Sequence, residues 1–145
     1  MVRVTALSPT FAVAGQLDEA DFAALAQQGF KSVIANRPDG EGWGQPKAED
    51  LEKWAAAAGL QFCFIPLRMV DVLEPPAAET MRAAIADMPG PVLAFCKSGT
   101  RSAMAWAAAE IATRPFENVI DSLRHAGVEI PGLAGELRVR ATLKD

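Results

Sequence analysis

Short apolar runs alternate with amphipathic segments along most of the chain. Runs of four to eight apolar residues bounded by turn residues are typical of buried strands. On this pattern we predict five strands: Val2–Val4, Phe11–Ala14, Phe30–Asn36, Leu60–Pro66 and the run that ends at Phe95. Apolar residues at helical spacing predict five helices between and after them, around residues 19–28, 48–58, 77–88, 103–112 and 117–126. The tail from Pro131 to Asp145 has apolar positions compatible with one more helix.

This alternation predicts the fold class. Strands and helices that follow one another with short links form a mostly parallel sheet flanked by helices. We therefore expect one α/β domain over residues 1–145. Ligands of such sheets bind beyond the carboxyl ends of the strands. Cys96 and two loops, residues 37–46 and 67–76, follow predicted strands directly, so we expect them to surround one pocket.

Composition narrows the classes of partner. The net charge is −4 and no basic cluster is present, which argues against nucleic-acid binding. No apolar run is long enough to cross a membrane, and no leader-like segment begins the chain, so we expect a cytoplasmic protein without membrane contact. Its two cysteines form no disulfide framework, and no cluster has metal-ligand spacing. We expect neither a metal nor a cofactor.

The segment from Cys96 to Ser102 carries the clearest chemical signal. It joins an apolar strand to an alanine-rich helix, so Cys96 lies beside a helix N-terminus, where peptide N–H groups and the helix dipole favour an anion. Cysteines in such positions next to cations have pKa values of roughly 3.5–7.5 instead of about 8.5. We predict a nucleophilic Cys96 with Arg101 as its cationic partner. The expected anion-binding residues are Lys97, Ser98, Gly99, Thr100 and Ser102, with the three hydroxyl groups also capping the helix.

Other candidates lie in the two neighbouring loops. Arg37 and Asp39, together with Glu41, are placed to shape the rim of the pocket, although Pro38-Asp39-Gly40 is also a good turn. Asp71 is placed where a general acid could stand, although a solvated loop aspartate is the alternative. We predict that Cys63, between two phenylalanines, is a packed core thiol.

Several stretches resemble a known family. They are Gly29–Glu41, Gln45-Pro46, Ala58–Leu60, Ile65-Pro66 and Gly90–Ser102, and they resemble the phosphatase-like domain of β-lactamase-hydrolase-like proteins, which is related in fold to dual-specificity phosphatases. The resemblance covers roughly residues 3 to 127. It implies a phosphatase-like fold and either phosphatase or sulfurtransferase activity. It also implies, as a partner, a persulfide dioxygenase or another sulfide-oxidising enzyme.

The length of the cysteine loop favours sulfur transfer. Cysteine phosphatases have five residues between cysteine and arginine, whereas four separate Cys96 from Arg101, as in rhodanese-type sulfurtransferases. Phe95 also stands where phosphatases usually have histidine. We therefore expect Cys96 to take sulfur from a small-molecule donor, thiosulfate or a low-molecular-weight persulfide, and to pass it to a thiol acceptor. Two alternatives stay open: a phosphatase acting through a Cys96 phosphocysteine with Asp71 as acid, and a non-catalytic anion-binding regulatory module.

Overall fold

The computed structural model describes residues 2–143, which form five strands and six helices. The strands are β1 (Val4–Ser8), β2 (Phe11–Ala14), β3 (Ser32–Ala35), β4 (Gln61–Phe64) and β5 (Val92–Phe95). The helices are α1 (Glu19–Gln27), α2 (Ala48–Ala57), α3 (Pro75–Asp87), α4 (Thr100–Glu110), α5 (Phe116–His125) and α6 (Leu133–Leu143). Lys144 and Asp145, the end of the predicted tail, lie outside the described residues.

The five strands form one sheet in the order β1-β2-β5-β3-β4. Strand β1 runs antiparallel to β2, and the other three pairings are parallel. The prediction of a mostly parallel α/β sheet is therefore confirmed. β5 is the central strand: Ala94 is in register with Val13 on one side and Ile34 on the other. Because Cys96 follows β5 directly, the cysteine stands at the middle of the carboxyl edge.

Helices cover both faces of the sheet. Leu93 and Phe95 point to the face covered by α1 and α2, where they pack with Phe22 and Leu51. The alternate residues of β5 point to the opposite core, formed with α3, α4, α5 and α6. Helix α4 is buried over residues 101–109, where five alanines keep its surface small enough to lie against the sheet and the neighbouring helices at once.

Most element boundaries differ from the prediction by one to four residues, and the starts of three elements are examples. The first strand is Val4–Ser8 instead of Val2–Val4, because pairing with β2 begins at the Val4–Ala14 pair. Helix α3 begins at Pro75, where a proline suits the first helical position. Helix α4 begins at Thr100, three residues before the predicted start.

Candidate active site

The sulfur of Cys96 lies at the base of the loop between β5 and α4. The residue is 1% exposed, and the Gly99 N–H donates a hydrogen bond to its Sγ at 3.1 Å. The next three peptide N–H groups, those of Thr100, Arg101 and Ser102, belong to the first turn of α4 and precede its first helical hydrogen-bond donor, Ala103. A helix N-terminus with such donors stabilises an anion beside it.

Gly99 allows the loop to take this shape. Its φ of 95° lies in the left-handed region that disfavours side chains with a Cβ atom. A Cβ atom on Gly99 would also lie 3.5 Å from the Ala14 carbonyl oxygen at the end of β2. The Cys96 N–H donates to that same oxygen at 3.3 Å. The cysteine loop is therefore packed directly on the end of the neighbouring strand.

Gly15 and Gln16 support the loop from outside. The Gln16 N–H donates to the Lys97 carbonyl oxygen at 3.2 Å, and a Cβ atom on Gly15 would lie only 3.0 Å from that oxygen. The sequence pattern predicts no role for Gly15 or Gln16 beyond the end of the apolar run. Their role was missed because the contact depends on how β2 and β5 lie side by side.

The Arg101 guanidinium is directed by two neighbouring loops. Nη1 donates to Glu41 Oε2 at 2.6 Å and to the Leu67 carbonyl oxygen at 3.0 Å, and Nη2 donates to Glu41 Oε1 at 2.7 Å. These bonds use three of the five guanidinium N–H groups. The remaining pair, Nε–H and the second Nη2–H, lies on one edge and can meet two oxygens of an anion. Both loops that were predicted to lie near Cys96 therefore contact Arg101, and a pocket shared by all three stays a prediction.

Glu41 is the centre of this ion-pair network. Besides Arg101, its carboxylate accepts a hydrogen bond from Arg37 Nε at 3.0 Å, and Arg37 Nη1 donates to Gln16 Oε1 at 3.1 Å. The hydrogen bond from Arg101 is the largest cause that lowers the pKa of Glu41, to about 2. The same bond raises the pKa of Arg101. Both groups are therefore charged at neutral pH.

Of the two rim residues predicted beside Glu41, only Arg37 belongs to this network. The Asp39 carboxylate accepts the Ala48 N–H at 2.8 Å and so caps the start of α2. Its carboxylate therefore serves the start of α2, and the place of Asp39 on the rim of the pocket stays a prediction. The loop around it is closed by Gln45, which donates to the Pro38 carbonyl oxygen at 2.7 Å and accepts the Gly42 N–H.

The predicted helix capping by hydroxyl groups is wrong. The N-cap residue of α4 is Gly99, and no side chain caps that helix. The Ser98 hydroxyl donates instead to the Thr100 hydroxyl at 3.1 Å. Ser102 is completely buried and donates to Asn36 Oδ1 at 2.8 Å, so it can offer an anion only its peptide N–H. Lys97 lies in the same loop and is exposed.

Asn36 is a structural residue of the site that the sequence analysis missed. It is fully buried, and its Nδ2 donates to the Ile65 carbonyl oxygen at 3.0 Å while its Oδ1 accepts from Ser102. It thereby connects the ends of β3 and β4 to the first turn of α4. The signal in the sequence that could have indicated this role is a polar residue at the end of an apolar strand.

Asp71 stands in an exposed ion pair. Its carboxylate accepts from Arg68 Nε at 2.8 Å, and its side chain is 45% exposed. The Leu67 carbonyl contact brings this loop to Arg101, but the Asp71 carboxylate is engaged by Arg68. Cys63 is partly buried against the core, as predicted, and burial raises the pKa of its thiol.

A cleft of about 520 Å³ adjoins the cysteine loop on the β1 side. The cleft is bounded by the loop, by the ends of β1 and β2 and by the segment after α5, with Arg3, Gln16, Ser98, Thr100 and Glu129 among its polar residues. Within residues 2–143 there is no group of three or more metal-ligating side chains and no helix long and apolar enough to span a membrane.

Comparison with known proteins finds sequence matches over most of the chain. The profile of a family described as "Beta-lactamase hydrolase-like protein, phosphatase-like domain" matches residues 3–113. A β-lactamase hydrolase-like protein of Agrobacterium fabrum is 39% identical over 101 residues, which are 70% of this chain and 23% of that protein. The chain spans about a quarter of the length of the curated relatives that it matches.

Solved structures agree on the fold. A Neisseria meningitidis protein provisionally named a phosphatase is 31% identical and superposes with a TM-score of 0.82, covering 94% of this chain and 96% of that one. A kinase-associated phosphatase with its catalytic cysteine replaced by serine superposes with a TM-score of 0.71 at 16% identity, covering 98% of this chain and 96% of the other. The likeness to the second protein shows the fold alone.

Proposed function

The chain belongs to the family of phosphatase-like domains of β-lactamase hydrolase-like proteins, and from this membership we propose that it is a cysteine-dependent phosphatase that hydrolyses phosphate monoesters. Its fold is that of cysteine phosphatases. The observation that carries the proposal is the Arg101 guanidinium, which keeps two N–H groups on one edge for an anion beside the buried Cys96 sulfur.

The proposed reaction has two steps. In the first, the Cys96 thiolate attacks phosphorus, a phosphorus–sulfur bond forms and the bond to the leaving oxygen breaks. The Gly99 N–H stabilises the sulfur anion before attack, and the Arg101 edge with the first-turn N–H groups stabilises the phosphoryl oxygens. In the second step, water attacks phosphorus, a phosphorus–oxygen bond forms and the phosphorus–sulfur bond breaks. Inorganic phosphate leaves with the oxygen of that water, a proton of the water passes to solvent, and the Cys96 thiolate is restored.

Substrates that differ in their leaving group can test whether Asp71 acts as a general acid. A leaving alkoxide of high pKa needs a proton from a general acid, and the Asp71 carboxylate is paired with Arg68. We therefore expect aryl phosphates, whose leaving phenolates are stable without a proton, to be better substrates than alkyl phosphates. Asp71→Asn should slow the hydrolysis of alkyl phosphates only if Asp71 supplies that proton.

Sulfur transfer is the second candidate, and the loop length favours it. Only four residues separate Cys96 from Arg101, and the Gly99 N–H points at the sulfur itself. In this reaction the thiolate attacks the outer sulfur of thiosulfate, a sulfur–sulfur bond forms and sulfite leaves. The Cys96 persulfide then passes that sulfur to a thiol. Sulfur transfer would require a thiol acceptor, and its expected partner is a sulfide-oxidising enzyme.

One experiment separates the two reactions. The protein is given p-nitrophenyl phosphate in one arm and thiosulfate in the other, and turnover and intact mass are measured. We expect phosphate release in the first arm that is abolished in Cys96→Ser and retained in Cys63→Ser, the matched control. A Cys96-dependent gain of one sulfur atom without phosphate release would reject the phosphatase proposal and support sulfur transfer.

A further inference from the structure

Glu41 makes the closest polar contacts of the Arg101 guanidinium, yet it lies 60 residues away in sequence and on a different loop. Both of its carboxylate oxygens accept from the end of the guanidinium, and one of them also accepts from Arg37. From this geometry we propose that Glu41 is a positioning residue. It binds the Nη1 and Nη2 end of the guanidinium, so that the edge formed by Nε and Nη2 faces the anion bound at the Cys96 loop.

The arrangement of the donors supports this role. An arginine side chain can turn either the end of the guanidinium, Nη1 and Nη2, or the edge, Nε and Nη2, towards an anion. Glu41 takes the end, and the Leu67 carbonyl takes the second N–H of Nη1. Only the edge is then left for a substrate. A guanidinium held in this way loses little conformational freedom when the anion binds.

The loop that carries Glu41 is itself braced. Arg37 extends from the carboxylate to Gln16, which also supports the cysteine loop through its peptide N–H. A Cβ atom on Gly42 would lie 2.7 Å from Arg37 Nη2, so a side chain there would displace the end of the Arg37 guanidinium. Hydrogen bonds from two arginines therefore fix the orientation of the Glu41 carboxylate.

A competing role for Glu41 predicts the opposite change in anion affinity when its charge is removed. If its carboxylate merely occupied Arg101 until a substrate displaced it, removal of the negative charge would strengthen anion binding. If it positions Arg101, removal weakens anion binding, although the site then carries more positive charge. The direction of the change therefore decides between the two roles, whichever reaction the protein catalyses.

The test compares wild type with Glu41→Gln, which keeps the size of the side chain and removes its charge. The first readout is the affinity for inorganic phosphate by calorimetry at neutral pH. The second is the ratio of Cys96 alkylation rates with anionic iodoacetate and neutral iodoacetamide, followed by peptide mass spectrometry. We expect both the affinity and the ratio to fall by about tenfold or more, as when one charge-assisted hydrogen bond is lost.

Two further variants complete the test. Glu79→Gln is the matched control, because Glu79 also pairs with an arginine, Arg82, but on the exposed surface of α3. It should leave both readouts unchanged. Glu41→Asp keeps the charge but is too short to reach both arginines, and it should weaken anion binding to an intermediate degree.

Unchanged or stronger anion binding in a folded Glu41→Gln protein would overturn the proposal. If that variant does not fold, Glu41→Asp decides instead, and wild-type values for it would also overturn the proposal. Neither readout needs turnover. A protein whose phosphate affinity depends on Glu41 but which hydrolyses no ester would contradict the proposed function and leave this inference intact.

Discussion

At the residue scale, the two cysteines differ in their surroundings. Cys96 accepts a peptide N–H at a helix N-terminus with a guanidinium close by. Cys63 is packed beside a hydrophobic core, and burial raises the pKa of its thiol. Only the first setting places a peptide N–H donor and a cation beside the sulfur, as around cysteines that react as nucleophiles.

We therefore predict that Cys96 reacts with iodoacetamide faster than Cys63 near pH 7. The rate of each site is measured by peptide mass spectrometry between pH 6 and pH 9. Because the pKa of Cys63 is raised, its rate should still be increasing with pH at the upper end of this range. Equal rates at pH 7, or a faster Cys63, would contradict the assignment of Cys96 as nucleophile.

The low pKa of Glu41 predicts how the stability of the fold depends on pH. In the unfolded chain this carboxyl group has its ordinary pKa of 4.5, whereas in the folded protein the pKa is about 2. Folding therefore favours the ionised form, and the stabilisation is complete above about pH 4.5 and disappears as the pH falls towards 2. We expect the difference in Tm between wild type and Glu41→Gln to be constant above pH 5.5 and to shrink below pH 4.5.

Thermal unfolding monitored by circular dichroism from pH 3 to pH 7 measures this difference. Glu79→Gln again provides the control, because its ion pair is exposed and such pairs contribute little. A Tm difference between wild type and Glu41→Gln that grows as the pH is lowered would contradict the predicted sign.

At the scale of elements, the cysteine loop depends on the backbone conformation of one residue. Gly99 has a positive φ and lies against the end of β2, so the turn that joins β5 to α4 requires the absence of a side chain. This turn places the Cys96 sulfur and the first N–H groups of α4 together. The anion site therefore forms only when the turn has this shape.

Gly99→Ala should be destabilising by about 1–2 kcal/mol, the usual cost of a left-handed conformation for a residue with a Cβ atom. It should also reduce the reactivity of Cys96, because the Gly99 N–H that donates to the sulfur would move. Denaturant unfolding and Cys96 alkylation measure the two effects. Gly29→Ala is a suitable control, since Gly29 also has a positive φ but lies in the turn after α1, away from the cleft beside the cysteine loop. The control should lose stability without the same loss of Cys96 reactivity.

At the scale of the whole molecule, three separate parts of the chain meet at Arg101. Glu41 comes from the loop after β3, the Leu67 carbonyl comes from the segment after β4, and Arg101 itself is in the first turn of α4. Asn36 and Ser102 join the same three parts below the site with buried hydrogen bonds. The site is therefore braced at two levels, one at the surface and one in the core.

The sequence alone determined the fold class, the order of the elements and the residues of the cysteine loop. These features depend on local patterns: apolar runs of strand length, apolar positions at helical spacing, and the spacing of Cys96 and Arg101. Boundaries were less accurate where a contact with another strand or a turn set them, as at Val4 and Thr100.

Only the tertiary structure decided which side chains surround Arg101. Nothing in the local sequence distinguishes Glu41 from Asp39, yet one carboxylate reaches the guanidinium and the other caps α2. Ser102 likewise has the sequence position of an anion ligand, but its hydroxyl is used in the core by Asn36. The direction of a side chain depends on distant segments that pack beside it, and sequence periodicity does not contain that information.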